Sequence, residues 1–222
     1  MHTLFLDTAS ADQVLILLTE EKVLMKKAIP KQGESHVTRN LEEALEETGW
    51  RYEDHVNSQG EHVAGLTRIA CTTGPGGFVS LRVGITTANV LSRLLDIPLA
   101  GVHLSELWEA RSRGHRTVDL GLGSEEHSFL WLHSTRKAQL FVRGFGEFAE
   151  KYPEPTLIDL EEASALKTSY VGELIEEHRK ALPECTPLSP DYLSPLEEIL
   201  PGYLSKLTYK KGQVHPWYGR EA

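Results

Sequence analysis

Two stretches of the chain carry residue types that could do chemistry. The first is Asp7-Thr8-Ala9-Ser10, where a carboxylate and two hydroxyls follow a short apolar run. The second is Cys71-Thr-Thr-Gly-Pro-Gly-Gly-Phe-Val-Ser-Leu-Arg-Val-Gly84, which links an apolar run at residues 66–71 to an apolar-periodic one at residues 80–95. A strand, a glycine-rich turn and a helix in that order can hold an anion, because glycine lets backbone N–H groups approach closely and a helix N-terminus carries partial positive charge. Gly74, Gly76 and Gly77 are therefore candidates for a nucleotide or phosphate site. No Lys-Ser/Thr follows the glycines and their spacing is not G-x-G-x-x-G, so the turn is neither a Walker loop nor a dinucleotide fingerprint. The alternative reading is structural: the glycines serve a tight turn, and Asp, Thr and Ser hydrogen-bond turn backbone.

Other reactive types are sparse. His36 is followed four residues later by Asn40, so one helical face offers a single imidazole and no metal site is expected. Cys71 and Cys185 fit neither a zinc motif nor a disulfide framework and read as thiols in a reducing compartment. No H-E-x-x-H, nucleophile elbow or Ser/His/Asp order is present, and no catalytic residue is assigned. Residues 206–220 are the one basic, aromatic stretch; such a stretch either packs as a tail or contacts nucleic acid.

The elements that must position these residues follow from periodicity. Residues 3–7, 13–19 and 22–25 read as three strands of an antiparallel meander. Residues 33–49 read as a helix with Val37, Leu41, Ala44, Leu45 and Thr48 on one stripe and Glu42, Glu43, Glu46 and Glu47 outside it. Glu34 or Ser35 would cap its start and Gly49 its end. Residues 50–65 read as a polar surface loop. The helix over residues 80–95 is striped twice. Leu81, Gly84, Ile85, Ala88, Leu91 and Leu95 share one side and Val83, Thr87, Val90 and Leu94 the other, while Arg82, Thr86, Asn89 and Arg93 form a polar edge. One stripe docks a helix on a sheet; a second is either covered by the same chain or awaits a partner. An edge strand at 97–101, a short helix at 104–111, a hinge at 112–127 and a hairpin of 129–133 with 139–143 follow. A strand at 169–172, a helix at 173–182 and a proline-punctuated stretch at 183–195 come next.

Gly74-Pro75-Gly76-Gly77-Phe78, Leu81-Arg82-Val83-Gly84 and Ile97-Pro-Leu-Ala-Gly-Val102 together resemble the TsaB (YeaZ) family, as does the later Leu200-Pro-Gly-Tyr-Leu204. The resemblance implies an α/β protein of the actin-like ATPase or sugar-kinase (RNase H-like) fold, in two subdomains with mixed sheets. These would be residues 1–111 with the partner-binding helices and residues 112–222 with the tail. It implies a non-catalytic subunit that pairs with a homologous catalytic TsaD-like subunit, is joined by a TsaE-like ATPase, and forms a homodimer when alone. It further implies no cofactor of its own, ATP or ADP at the partner interface, and only indirect contact with tRNA. Family members pair through two helices, which here places Val37, Leu41, Arg82, Val83, Thr87, Val90, Arg93 and Leu94 in the partner-binding face. The family has Ser-Phe-Thr-Gly where this chain has Gly77-Phe78-Val79-Ser80. It has acids where this chain has His133 or Ser134 and Gln139. In the implied fold the first turn of the meander carries an Asp that faces nucleotide phosphates, which adds Asp7 and Thr8 to the phosphate candidates; an active small-molecule kinase or ATPase of that fold, using Asp7 and the Gly74–Gly77 turn, is the alternative.

Composition bounds these readings. The chain has 222 residues, 40% of them hydrophobic and 25% charged, and a formal net charge of −9. That is an ordinary globular profile, and a net acidic chain is poorly suited to grip nucleic acid over its whole surface. Nothing approaches a membrane span or a signal peptide, which points to a cytoplasmic protein.

Overall fold

The computed structural model describes residues 1–30, 35–114, 128–135 and 138–219. It contains two compact units, one of residues Met1–Leu104 with Leu196–Tyr218 and one built on Ser105–Pro195.

In the first unit β1 (Thr3–Asp7), β2 (Val14–Leu18) and β3 (Val23–Ala28) form the expected antiparallel meander. Every residue of β1 and β2 is buried, as their unbroken apolar runs require of strands covered on both faces. β3 lies at the sheet edge, and Lys26 and Lys27 break its apolar pattern there. Helix α1 (Ser35–Thr48) packs on β2 and β3. Gly49 closes it at φ +73°, its N–H donating to the Glu46 carbonyl at 3.1 Å. The 50–65 stretch is not irregular throughout: β4 (His55–Val56) and β5 (His62–Val63) pair as a small antiparallel ladder.

β6 (Arg68–Gly74) then joins β1 in parallel, helix α2 (Phe78–Leu94) crosses over, and β7 (Leu99–His103) joins β6 in parallel. The strand order is β3-β2-β1-β6-β7. The helix begins two residues earlier than its apolar period suggests, with Gly77 as an N-cap that makes no side-chain capping bond.

The second unit opens with α3 (Leu104–Gly114) and contains β8 (Phe129–Ser134), β9 (Gln139–Phe145), β10 (Thr156–Asp159), α4 (Leu160–Ser164), β11 (Ser169–Glu173), α5 (Glu176–Ala181) and β12 (Thr186–Pro187). Its sheet order is β10-β9-β8-β11-β12. β8–β9 and β9–β10 are antiparallel, while β8–β11 and β11–β12 are parallel. Each unit thus repeats one plan: a three-strand meander followed by two parallel strands on the other side of its first strand. This is the mixed α/β, actin-like architecture that the sequence resemblance implies. One face of β8 sends Leu130 and Leu132 into a core with Leu140, Val142, Tyr152 and Ile158.

The division of the chain differs from the expected cut at residue 112. Helix α3 is tied to the second unit from its second residue onward, through Arg143, which donates to Ser105 Oγ at 3.0 Å and lies 3.6 Å from Glu109. Helix α6 (Leu196–Leu204) and the following residues return to the first unit instead of closing the second. The reason is apolar: Leu200 and Leu204 are fully buried, and α6 packs on β3. Beyond it Lys210 and Leu99 exchange two backbone hydrogen bonds, of 2.9 and 3.1 Å, at the edge of β7. Most of the expected hinge (115–127), Glu34 and turn residues 136–137 lie outside the described residues. Among the described residues no helix is long and apolar enough to cross a membrane.

Candidate functional site

Asp7 ends β1 and is buried. Its carboxylate accepts from the backbone N–H of Ala9 (3.0 Å) and of Ser10 (3.2 Å), from the Ser10 hydroxyl, and from the Thr72 hydroxyl (2.9 Å). Three of these donors share Oδ1, and the Ser10 hydroxyl alone reaches Oδ2. Burial pushes the Asp7 carboxyl above the usual range, while the same four hydrogen bonds pull the other way. The side chain therefore closes the β1–β2 turn and ties it to β6. Beside it, the Cys71 thiol is pushed up to about 12 by burial, with the Asp7 charge adding to the effect, so it is held in the unreactive thiol form.

The structure brings the glycine turn to this corner, and the close neighbours of its glycines belong to the same chain. A Cβ on Gly76 would lie 2.7 Å from the Ala9 Cα, and one on Gly84 would lie 2.1 Å from Thr8 Oγ1. Gly74, at φ +125°, faces the Trp217 carbonyl, which a Cβ would meet at 2.7 Å. The Trp217 N–H donates to the Thr73 carbonyl at 2.7 Å, and the Trp217 ring meets His103 edge-on with centroids 4.6 Å apart. Gly74 and Gly76 are needed because backbone approaches backbone there, and Gly84 because the Thr8 side chain lies against the helix.

Helix α2 shows three sides. Leu81, Gly84, Ile85, Ala88 and Ser92 are buried against the sheet. The polar edge meets the returning C-terminal segment: Asn89 and Val214 exchange two hydrogen bonds of 2.9 Å, and Arg82 Nε donates to the Tyr218 hydroxyl at 3.2 Å. The third side stays open. Val79 is 66% exposed, Val90 49% and Leu94 72%, with Val83 and Thr87 half-buried between them. Arg82 and Arg93 lie on the polar edge, roughly a quarter-turn from this stripe. The stripe runs into a groove of about 560 Å³ where Leu91, Leu94 and Leu95 face Arg51–His55. Val79 is a member that the sequence reading passed over, although its place four residues before Val83 could have found it.

Helix α1 does not contribute as expected. Val37 and Leu41 are 2% and 1% exposed and sit in the core of the first unit. The cause is that α1 has only one apolar stripe and spends it on the sheet, leaving Glu42, Glu43, Glu46 and Glu47 outward. Lys27 of β3 lies 3.1 Å from Glu43 and 2.6 Å from Glu47. Asn40 donates to the Ala28 carbonyl, and among the described residues no three His, Cys, Asp or Glu converge as a metal ion requires.

Known proteins bear on this geometry as follows. The family model of TsaD, tRNA N6-adenosine threonylcarbamoyltransferase, matches residues 32–119, less than half of the chain. The Bacillus subtilis tRNA N6-adenosine threonylcarbamoyltransferase is 26% identical in an alignment 121 residues long that covers 46% of this chain and 32% of that relative, so the match spans only a third of the relative. Two crystal structures from Pseudomonas aeruginosa have the same fold over nearly the full length of both chains. One, a protein with similarity to the peptidase YeaZ, is 18% identical with a TM-score of 0.67, covering 99% of each chain. The other, YeaZ itself, is 17% identical with a TM-score of 0.66, covering 98% of this chain and 99% of its own. The chain has the YeaZ fold.

The end of the central strand in the second unit differs in chemistry from that in the first. Ser134 ends β8 as Asp7 ends β1, but it is neutral. Its hydroxyl accepts from the Ile175 N–H at 2.8 Å and bonds the buried His178 at Nδ1, 2.9 Å away. The neighbouring His133 stacks on Trp131, centroids 5.7 Å apart, and its buried Nδ1 has no hydrogen-bond partner among the described residues. Burial pushes the imidazole down to about 4. An unfolded histidine titrates near ~6.5. Below that value the unfolded chain takes up a proton that the folded one refuses, so stability falls as pH drops and levels off below the folded value. We expect a loss of about 2 kcal/mol from this residue between pH 7.5 and 5. Urea unfolding at both pH values should show this slope in the natural chain and its reduction in His133→Phe.

Proposed function

We propose that the chain is a non-catalytic subunit of the system that forms N6-threonylcarbamoyladenosine in tRNA. It docks through the open stripe of α2 on a homologous TsaD-like subunit, which performs the transfer. A TsaE-like ATPase joins the pair, ATP or ADP belongs to the shared interface, and in the absence of its partner the chain pairs with itself. The reading rests on one observation: an apolar stripe from Val79 through Val83 and Val90 to Leu94 lies open on a helix whose opposite side is already docked. A single apolar side suffices for the fold, so the second is surplus unless another protein covers it. Two features support a subunit without catalysis of its own. The Asp7 carboxylate is engaged by Ala9 and Ser10 of its own turn and by Thr72 of β6, and the acid that the family carries falls here on His133 or Ser134 at the end of β8.

The stripe is tested by Val90→Asp and Leu94→Asp, measured by calorimetric titration against the purified TsaD-like subunit. Each should weaken pairing about 30-fold, the loss of roughly 2 kcal/mol typical of a central interface residue, with unchanged circular dichroism. Undiminished affinity would rule the stripe out as the docking face. Sedimentation of the isolated chain at micromolar concentration should show a dimer that the same substitutions dissociate.

A further inference from the structure

We propose that the segment after α6, together with the polar edge of α2, binds single-stranded RNA directly. Charge is the first argument. Residues 78–103 and 199–219 contain Arg82, Arg93, Lys206, Lys210 and Lys211 against one acid, Asp96. That is five positive charges less one negative, +4, in a chain of net −9, so the remainder carries −13.

Placement is the second. Three contacts lay the segment antiparallel to α2: Lys211 reaches Asp96 just beyond the helix, Val214 is clamped by Asn89 in both directions, and Tyr218 accepts from Arg82 near the helix start. The span from Asp96 back to Arg82 is about 20 Å at the helical rise, with Arg93, Lys210 and Lys211 towards one end and Arg82 at the other. Lys206, Lys210, Lys211, Arg82 and Arg93 are all exposed. Asp96 is engaged by Lys211, and Glu20, which approaches the Tyr209 end, lies 3.8 Å from Arg68.

Aromatic geometry is the third. At the α2 start Phe78 and Tyr218 are 49% and 42% exposed, with ring centroids 5.6 Å apart, and the Arg82 guanidinium lies 3.9 Å from the Phe78 centroid. Exposed rings at one end of a strip that carries cations at both ends suit a strand whose phosphates meet the cations and whose unpaired bases stack on the rings. A duplex hides its base faces and would use only the cations. The resemblance to the TsaB family implied only indirect contact with tRNA; this strip makes a direct one. It is separate from the docking stripe, which occupies another side of α2, so either can fail without the other.

Fluorescence anisotropy of the full chain with a labelled single-stranded oligoribonucleotide tests the proposal. Binding should be measurable at 50 mM salt and fall about 50-fold by 200 mM, as expected for about four phosphates neutralised on a single strand. Lys210→Glu with Lys211→Glu should weaken it at least ~10-fold and Tyr218→Ala about 5-fold or more. Should the lysine pair disturb thermal unfolding, Lys206→Glu with Arg93→Glu provides the same charge change at other exposed positions. The proposal is overturned by absence of binding at 50 mM salt, by indifference to charge reversal, or by equal affinity for an RNA duplex. A polyglutamate peptide that binds as tightly as the RNA would assign the strip to an acidic protein and overturn it as well.

Discussion

Asp7→Ala lowers the stability of the purified chain by about 4 kcal/mol, whereas Asp7→Asn costs about 1 kcal/mol or less; both follow from counting donors. Removal of the carboxylate leaves the N–H groups of Ala9 and Ser10 and the Thr72 hydroxyl directed at nothing in a buried corner. Each unsatisfied buried group costs roughly 1–3 kcal/mol, and the Thr72 hydroxyl can recover part by rotation. An asparagine oxygen still accepts from all three, and its amide can donate to Ser10 Oγ. It also removes a charge whose burial is unfavourable, which offsets the weaker hydrogen bonds. Urea denaturation monitored by tryptophan fluorescence checks the pair, and equal stability of the two variants would refute the staple role. The comparison also guards the functional question. Loss of ATP turnover in Asp7→Ala alone would report unfolding. Turnover present in the natural chain and lost in a folded Asp7→Asn variant would favour the kinase or ATPase alternative.

The second large effect belongs to Gly84. Its absent side chain lets α2 sit against the β1–β2 turn, where an added Cβ would stand 2.1 Å from Thr8 Oγ1, 2.8 Å from Cγ2 and 3.0 Å from Cβ. Rotation of Thr8 exchanges one clash for another, so Gly84→Ala must displace the helix, at about 3 kcal/mol. Thr8→Ala removes the two nearer atoms and costs about 1 kcal/mol alone. In the double variant the alanine finds space, so the combined loss should fall short of the sum by about 1–2 kcal/mol. Strict additivity in denaturant titrations would show that the two residues do not share this contact. The same displacement would carry the open stripe with it, so Gly84→Ala should also weaken subunit pairing.

These cases show what kind of information the sequence held. The β1–β2–β3 meander was legible because apolar runs met turn residues at strand spacing, and the two-sided character of α2 was legible because its stripes recur at helical spacing. The fate of α1 was not. Its single stripe is equally consistent with core or interface, and only the sheet behind it, which buries Val37 and Leu41, decides. Asp7 beside a glycine turn reads as a phosphate corner by residue type; that Thr72 reaches it from a strand 65 residues away is a tertiary fact with no local signature. Helix α6 was missed because Pro201 and Gly202 interrupt its period, while its burial depends on β3. The route of residues 209–218 along α2 rests on Asn89 and Arg82, two polar residues whose partners no periodicity reveals.

The return of Leu196–Tyr218 to the first unit has a consequence for how the protein is made. During translation residues 1–104 leave the ribosome without the helix that packs on β3 or the segment that pairs with β7, and they wait for both until residues 196–218 follow. A premature stop after residue 195 would therefore do its damage at the beginning, leaving the oldest part of the nascent chain with unfinished sheet edges for chaperones to shelter.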